Sequence, residues 1–420
     1  MNIRLKPGKD KPVRNGHPWI FSGAVAKVEG YVDPCDRLCT VYSVDGERLG
    51  VGYYNDKSTI RVRMLSVDTV VNTAVNKNVN TNRSALPPLT FTVKDLHSRI
   101  RQSIDTRKRN GVLTANAVDY TDSCRLVNSE GDFLPGLIVD KYGSGVCMQI
   151  GTAGMECWRG AIVEALSDIV NPTFIYERSD TASREREGLP SSEGLIAGTL
   201  PETLAITENG VKYKADLRAG QKTGFFFDQR ENRALLRRYA AGRNVCDCFS
   251  YSGGFTINAA LGGAATVVAV DSSEEAGACL SENARLNDVS DIAKFQKSDA
   301  FAFLRQLPPG CDGSSIDLLI LDPPKFANHP SEVDRAARGY KEINLAGLRA
   351  LAPGGILFTF SCSGAVDPYL FRQIIFGAAA DARRAVQILH VLTAGPDHPI
   401  NIAHREGEYL KGLVLRVQSF

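Results

Sequence analysis

Short apolar runs alternate with amphipathic segments through the second half of the chain, from about residue 211 onwards. The runs NVCDCF, TVVAVD, IDLLILD and GILFTF are typical of buried strands. Between them, residues 274–287 and 333–351 carry apolar side chains at helical spacing. This alternation predicts a mostly parallel, doubly wound α/β sheet. The last two strand candidates, AVQILHV and YLKGLVLRV, are joined without a helical pattern, so we expect an antiparallel edge pair.

The first half of the chain lacks this alternation. Residues 1–66 contain short strand-like segments separated by Gly, Asp and Asn, which predicts a small β domain, either a barrel or a sandwich. Residues 67–90 are rich in Asn and Thr and end in two prolines, so they indicate a linker. Helical spacing at 95–110 and 158–169, among further strand-like runs, predicts an α+β unit. The expected parts are a β domain at 1–68, a linker at 69–94, a middle α+β domain at 95–210 and an α/β domain at 211–420.

The charge balance changes this picture only near the N-terminus. The chain of 420 residues is 43% hydrophobic and has a net charge of +2, which excludes a uniformly basic surface. Residues 1–65, however, hold 11 Lys and Arg against 7 Asp and Glu. Within them, the first 14 residues have five basic side chains against Asp10 alone. We interpret this stretch as a basic arm on an RNA-facing module, with a solvated terminus as the alternative.

The ten cysteines favour a reducing compartment. They have no regular spacing, and the chain shows neither an apolar leader nor an apolar run of transmembrane length. We therefore expect a cytoplasmic protein. Cys35 with Cys39, and Cys246 with Cys248, are close enough to suggest a metal, but no second pair of ligands has finger-like spacing. We interpret them as structural thiols and expect no metal.

Polar side chains follow two of the predicted buried strands at the point where each strand ends. Asp322 follows IDLLIL and precedes two prolines, and Cys362 follows GILFTFS. If the strands are neighbours in a parallel sheet, the two side chains lie side by side at the carboxyl edge, where α/β sheets bind ligands. A thiolate can add to C6 of cytosine and so activate C5, while a carboxylate can bind the N3 and N4 edge of the base. The alternatives are a turn-forming Asp and a buried, inert Cys.

A second set of strand-end residues indicates a nucleoside-containing ligand. The strand NVCDCF runs into SYSGGFT, where Gly253 and Gly254 allow a close approach of the backbone. Asp271 ends the next strand and is placed to bind ribose hydroxyls. The dinucleotide fingerprint G-x-G-x-x-G is absent, which favours S-adenosylmethionine over a ligand with a pyrophosphate. Asp299 could reach the adenine, or it could cap a helix. A turn and a cap are likewise the alternative for the glycines and Asp271.

Longer motifs extend this pattern along nearly the whole chain. They are HPWIFSGAV at 17–25, GVGYYNDKSTIRVRMLS at 50–66, RLVNSEGDFLPGLIVDKYG at 125–143, IYERSD at 175–180, GQKTGFFFDQRENR at 220–233, CFSYSGGF at 248–255, LDPPKF at 321–326, SCSG at 361–364, DHPI at 397–400 and EGEYLKGL at 406–413. Together these motifs closely resemble the bacterial 23S rRNA 5-methylcytosine methyltransferase I family. The resemblance implies a PUA domain at 1–68, a middle α+β domain and a Rossmann-like class I methyltransferase domain.

The resemblance also implies the activity and the residues of the site. The activity would be S-adenosylmethionine-dependent methylation of C5 of a cytosine in 23S rRNA. We further predict that the target base is flipped out of the RNA. Cys362 would be the nucleophile, and Asp322 would orient the base. The residues implied around the cofactor are Lys222, Thr223, Phe225, Asp228, Ser250, Tyr251, Gly253, Asp271, Ser272, Asp299 and Asp322. RNA is the expected partner, no membrane is expected, and a homodimer is left open.

Two departures and two competing functions remain. The Asn-rich segment differs from the acidic helical segment of the family. Many RNA cytosine methyltransferases outside this family carry a second Cys where this chain has Lys325, so the base that removes the C5 proton is open between Asp322, His398 and water. Methylation at a base nitrogen, such as guanine N7, would need the cofactor fold and Asp322 but no thiol. A non-catalytic RNA-binding assembly factor is the alternative outside enzymes.

Overall fold

The computed structural model describes residues 1–68, 90–115, 119–180, 182–218, 220, 223–310, 316–327 and 329–418. Within these ranges the strands form four sheets of six, five, two and seven strands, in that order along the chain. The Asn-rich segment that we interpret as a linker falls mostly on 69–89, outside the described residues. No helix in the described ranges is long and apolar enough to cross a membrane.

The six-stranded sheet is built from the first 67 residues. Its elements are β1 Asn2–Leu5, α1 Lys11–Arg14, β2 Trp19–Phe21, β3 Val25–Glu29, β4 Leu38–Tyr42, β5 Arg48–Tyr54 and β6 Ile60–Val67, with strand order β2-β6-β5-β4-β1-β3. The prediction of a basic N-terminal arm is wrong, because β1 pairs with both β3 and β4. Helix α1 is the next element after β1. Arg14 is engaged by Asp10 at 2.6 Å and Glu47 at 2.7 Å. The side chains of Lys6, Lys9 and Lys11 remain exposed.

The five-stranded sheet is formed by a segment in which one helix precedes the first strand and three shorter helices lie between later strands. Its elements are α2 Val93–Arg109, β7 Cys124–Asn128, β8 Leu137–Tyr142, β9 Gly145–Ile150, α3 Ala153–Cys157, α4 Arg159–Val170, β10 Phe174–Ser179, α5 Ala182–Arg186 and β11 Ser192–Gly198, with strand order β11-β10-β9-β8-β7. Helix α2 begins at a capping box in which the Thr92 hydroxyl accepts from the backbone of Asp95 and the Asp95 carboxylate accepts from that of Thr92. The expected helices at 95–110 and 158–169 are confirmed.

A hairpin of β12 Leu204–Glu208 and β13 Val211–Ala215 follows this sheet. The domain boundary expected between residues 210 and 211 falls in the turn of this hairpin, so it separates two strands that pair with each other. The domain limits themselves stay a prediction.

The seven-stranded sheet is the doubly wound sheet expected from the sequence. Its elements are α6 Arg230–Ala240, β14 Asn244–Cys248, α7 Gly254–Leu261, β15 Thr266–Asp271, α8 Glu274–Leu286, β16 Ala293–Lys297, α9 Ala300–Gln306, β17 Leu318–Leu321, α10 Val333–Ala350, β18 Ile356–Ser361, α11 Pro368–Ala382, β19 Val386–Leu392 and β20 Lys411–Val417. The order is β16-β15-β14-β17-β18-β20-β19. The first five strands are parallel. The expected antiparallel pair is confirmed, but only β19 lies at the edge, since β20 is inserted beside β18.

Buried hydrogen bonds to Asp397 join the five-stranded and seven-stranded sheets, next to an ion pair within the five-stranded sheet. Arg125 on β7 makes a two-pronged contact with Asp140 on β8, at 2.8 and 3.0 Å. The backbone N–H of Arg125 also donates to the carboxylate of Asp397, which lies in the loop between β19 and β20. Arg107 donates to the Asp397 carbonyl at 2.8 Å. Because these charged groups are buried, each depends on its partner to offset the loss of hydration. The loop before β20 is therefore fixed against the middle of the chain.

Candidate active site

The site lies at the carboxyl ends of four neighbouring strands. In the parallel register Leu321 of β17 is paired with Thr359 of β18 on one side and with Cys248 of β14 on the other. The expected adjacency of the strands that precede Asp322 and Cys362 is therefore confirmed. Strand β14 has β15 on one side and β17 on the other, although it comes first in the sequence. This reversal of strand order is the place where open α/β sheets bind their ligands.

Cys362 is half-buried and faces the loop that follows β17. Its Sγ lies 4.0 Å from the carbonyl oxygen of Pro323, the residue after Asp322. The next residue, Ser363, ties the two loops together, because its Oγ accepts from the backbone of Ala327 at 3.1 Å and lies 2.9 Å from the Tyr340 hydroxyl. The thiol and the carboxylate-bearing loop are thus held side by side.

Asp322 is oriented by a residue that the sequence analysis did not single out. The side-chain amide of Gln229 donates to Asp322 Oδ2 at 3.1 Å. Asn232 in turn donates to Gln229 Oε1 at 2.6 Å, which fixes the direction of that amide. Gln229 lies inside the motif GQKTGFFFDQRENR, and its position in that motif was the only signal in the sequence.

The loop between β14 and α7 has an unusual backbone. Phe249, Tyr251 and Gly253 all have positive φ, at 64°, 46° and 83°. Such conformations cost free energy for residues with a Cβ, and they concentrate at functional sites. At Gly253 the glycine is also required sterically, because a Cβ there would lie 2.7 Å from Cγ of Leu280. The loop therefore packs its backbone closely against α8, and the close approach to a ligand expected from the glycine pair stays a prediction.

Asp271 at the end of β15 accepts two backbone hydrogen bonds. They come from the N–H of Tyr251 at 2.9 Å and that of Ser273 at 3.0 Å, one to each carboxylate oxygen. The carboxylate thus fixes the glycine loop against β15. Ser272, between these residues, is exposed.

Asp247 is a candidate site residue that sequence analysis missed. It lies in the middle of the apolar run NVCDCF on β14, and its side chain is buried. Burial raises the pKa of Asp247 to about 7, and the neighbouring carboxylates of Asp322 and Asp271 add to the shift, while a hydrogen bond from Thr256 opposes it. An acid within an apolar strand was the signal in the sequence that could have identified it.

Oδ1 of Asp247 and Oγ of Ser250 are buried and have no hydrogen-bond partner among the described residues. Oγ1 of Thr359 on β18 is a further such atom in this region. Buried polar groups are almost always paired, so an unpaired one indicates a missing ligand or water. A carboxylate suits a cationic group, and a hydroxyl suits an amino or carboxylate group. The pair therefore fits a ligand with the charges of S-adenosylmethionine, a sulfonium and an amino acid.

The remaining residues implied for the cofactor lie in different environments. Thr223 is buried and donates to Asp140 on β8. Phe225 packs in the core against Tyr213, with ring centroids 4.9 Å apart, whereas its neighbour Phe226 makes an edge contact with Tyr251. Phe226, which was not implied for the cofactor, therefore lies next to the glycine loop, whereas Phe225 packs in the core.

Asp228, Asp299 and Lys222 are the last three residues implied for the cofactor. Asp228 accepts from the Tyr409 hydroxyl at 2.6 Å. Asp299 caps α9 through a bond from the N–H of Ala302 at 2.8 Å, as in the alternative given for it. Lys222 lies outside the described residues.

His398, one of the bases left open for the C5 proton, is buried away from solvent in the loop before β20. Its Nδ1 lies 3.0 Å from Oδ1 of Asp397. The other carboxylate oxygen of Asp397 accepts from the backbone of Arg125 on β7. The imidazole is therefore part of the contact with the five-stranded sheet.

Comparisons with known proteins agree with this fold. A family model described as a PUA-like domain matches residues 3–67, and one described as an S-adenosylmethionine-dependent methyltransferase matches residues 183–410. Among solved structures, a Streptococcus mutans protein assigned as a SAM-dependent methyltransferase aligns with a TM-score of 0.79 at 21% identity, over 99% of this chain and 100% of that one. A second structure, assigned as a methyltransferase and complexed with SAH, gives a TM-score of 0.80 at 21% identity, again over 99% and 100%.

The fold is that of an S-adenosylmethionine-dependent methyltransferase that carries an N-terminal PUA-like domain, and S-adenosylmethionine is its cofactor. The proteins named Ribosomal RNA large subunit methyltransferase I are 40% identical in Aeromonas salmonicida and 37% in Shewanella denitrificans, over 99% of both chains. The protein of that name from Serratia proteamaculans is 37% identical over 99% of this chain and all of its own. This chain belongs to that family.

Proposed function

We propose that this protein methylates C5 of a cytosine in large-subunit ribosomal RNA through a covalent bond between Cys362 and C6 of the base. Two observations support the RNA substrate: the names of relatives that match along the whole chain, and the PUA-like domain with its exposed Lys6, Lys9 and Lys11. The observation that carries the covalent mechanism is the placement of the Cys362 thiol 4.0 Å from the carbonyl that follows Asp322.

The chemistry assigns separate tasks to the two residues. The thiolate of Cys362 adds to C6, which makes C5 nucleophilic enough to accept a methyl group. Asp322, held by Gln229, accepts from the N4 amino group and from the N–H that forms when N3 of the adduct takes a proton from solvent, and so stabilises the protonated ring. Bound S-adenosylmethionine supplies the electrophilic methyl sulfonium. Loss of the C5 proton then breaks the bond between sulfur and C6 and restores the aromatic base.

The position of His398 narrows the choice of the base that takes the C5 proton. Its imidazole is paired with Asp397 at the contact with the five-stranded sheet, so Asp322 or a water molecule beside it suits the role better. Lys325, in the place of a second Cys, carries an amine and no thiol. We therefore assign proton removal to Asp322 or to water that it binds.

RNA is held mainly through its phosphates, with the target cytosine flipped out of its stack into the pocket between Asp322 and Cys362. Binding through phosphates implies that the affinity for RNA falls as salt rises. We place the protein in the cytoplasm, where its ribosomal substrate is made. A homodimer stays a prediction, to be tested by light scattering on the purified protein.

The decisive experiment uses ribosomal RNA that contains 5-fluorocytidine. A base can remove the proton at C5 of cytosine but cannot remove fluorine from that carbon, so the covalent adduct is trapped. With S-adenosylmethionine, the unmodified protein should form a stable adduct, and Cys362→Ala should form none while it still binds the cofactor in calorimetry. Cys35→Ala, at an exposed cysteine in the turn between β3 and β4, is the matched control and should react normally. An adduct in Cys362→Ala would exclude the assignment of the nucleophile.

Two further outcomes separate the competing functions. Full methylation by Cys362→Ala would favour transfer to a base nitrogen, and mapping of modified bases in rRNA with and without the protein would locate it. Failure of the unmodified protein to bind S-adenosylmethionine would instead favour a non-catalytic assembly factor.

A further inference from the structure

Lys411 holds the loop that carries Cys362 from both sides. It is the first residue of β20, and its backbone is paired with Ser361, the residue before Cys362. Its Nζ donates to the carbonyl of Ser363, the residue after Cys362, at 2.7 Å. The same Nζ also donates to the carbonyl of Val366. Lys411 thus fixes the chain before the thiol through its backbone and the chain after the thiol through its side chain.

Burial of the Lys411 ammonium costs free energy of hydration, which indicates that the lysine has a role beyond packing. Lys411 is only 4% exposed, and burial lowers its pKa to about 8. The groups that face the ammonium are Cys362, Asp367 and Glu408, which favour its charged form, and Lys325, which opposes it. A purely structural tie between two carbonyls would be served as well by a neutral donor, without the cost of a buried charge.

We propose that Lys411 is a positioning residue for Cys362, which fixes the thiol toward the pocket and stabilises its thiolate with a buried ammonium. The attraction between a thiolate and an ammonium is mutual, so the lysine that is favoured by Cys362 also favours ionisation of that thiol. The inference rests on the proposed function in one respect only, namely that Cys362 acts as a thiolate.

The test measures the thiol directly, in the full-length protein without RNA or cofactor. Iodoacetamide labelling is followed by mass spectrometry across pH, because the tryptic peptide 350–372 contains Cys362 as its single cysteine. Lys411→Met should raise the pH midpoint of labelling by about one unit, and so slow labelling at neutral pH about tenfold. Lys411→Gln, which keeps neutral donors, should behave like Lys411→Met, whereas Lys411→Arg should restore the midpoint. Cys35 in the same samples is the internal control.

An unchanged midpoint in Lys411→Met and Lys411→Gln would overturn the proposal. If neither variant folds, the unmodified protein decides, since a midpoint for Cys362 at or above about 8.5, the value of an ordinary thiol, would contradict a stabilised thiolate. The labelling result is independent of methylation. A shifted midpoint together with an active Cys362→Ala would reject the proposed covalent function but keep the role of Lys411. An unchanged midpoint together with an inactive Cys362→Ala would reject the role of Lys411 but keep the covalent function.

Discussion

The amide of Gln229 donates to the carboxylate of Asp322 at 3.1 Å across 93 residues of sequence. Gln229 ends the 3-10 turn Phe227–Gln229, which leads directly into α6. The hydrogen bond therefore connects the segment that follows the hairpin to the strand end where the proposed base-binding carboxylate lies. Since Asn232 fixes the carbonyl of the Gln229 amide, the N–H side must face Asp322.

This relationship predicts that Gln229 acts on catalysis through the orientation of Asp322. Gln229→Met keeps a similar volume but removes the donor, so kcat/KM for RNA should fall about 10- to 100-fold, as for other positioning contacts. The affinity for S-adenosylmethionine, measured by calorimetry, should change less than about threefold. Gln229→Glu should be at least as damaging, because a second carboxylate beside Asp322 repels it. Unchanged kinetics in both variants would remove Gln229 from the mechanism.

The glycine loop offers a prediction with a matched control. Gly253→Ala should reduce stability by about 1–3 kcal/mol more than Gly263→Ala, since overpacking against Leu280 adds to the cost of a positive φ. Both glycines have nearly the same φ, 83° and 84°, but a Cβ at Gly263 would meet nothing closer than 3.8 Å. Urea unfolding measures the difference. Cofactor binding should weaken only in Gly253→Ala, and equal effects of the two substitutions would contradict the steric argument.

Much of the seven-stranded sheet could be predicted because its signals are local. The helix expected at 274–287 is observed at Glu274–Leu286, and the apolar runs that end in Asp322 and Cys362 do end as neighbouring strands. A buried strand reads as continuous apolar sequence, and its polar terminus marks the edge of the sheet.

The supporting residues could not be predicted in this way. Gln229 and Lys411 reach their partners over 93 and 48 residues, so no periodicity connects them. The strand β1 was missed for another reason, and a basic arm was predicted in its place. Ile3 and Leu5 are fully buried, but two apolar residues are too few to outweigh the surrounding basic charge in a sequence pattern.

The contact between the first sheet and the rest of the chain yields a stability prediction. The indole N–H of Trp19 donates to Glu130 at 2.7 Å, and Arg63 donates to the same carboxylate oxygen at 3.0 Å. Trp19→Phe keeps an aromatic ring but removes the donor, so it should lower the free energy of unfolding by about 1.5–3 kcal/mol, as for a hydrogen bond to a charged group. Urea titration followed by circular dichroism measures it. Tyr31→Phe, at a tyrosine that is 78% exposed, should be neutral.

The raised pKa of Asp247, about 7, predicts that cofactor binding releases a proton. The folded protein retains a proton that the unfolded chain loses near pH 4, so the stability that Asp247 contributes is present at low pH and is lost as pH rises through about 7. A cationic ligand beside the carboxylate favours its ionised form. Near pH 6.5, titration calorimetry in two buffers of different ionisation enthalpy should therefore show release of roughly half a proton or more, which Asp247→Asn should abolish. Equal release from both proteins would mean that the proton comes from another group, and that the ligand charge does not lie against Asp247.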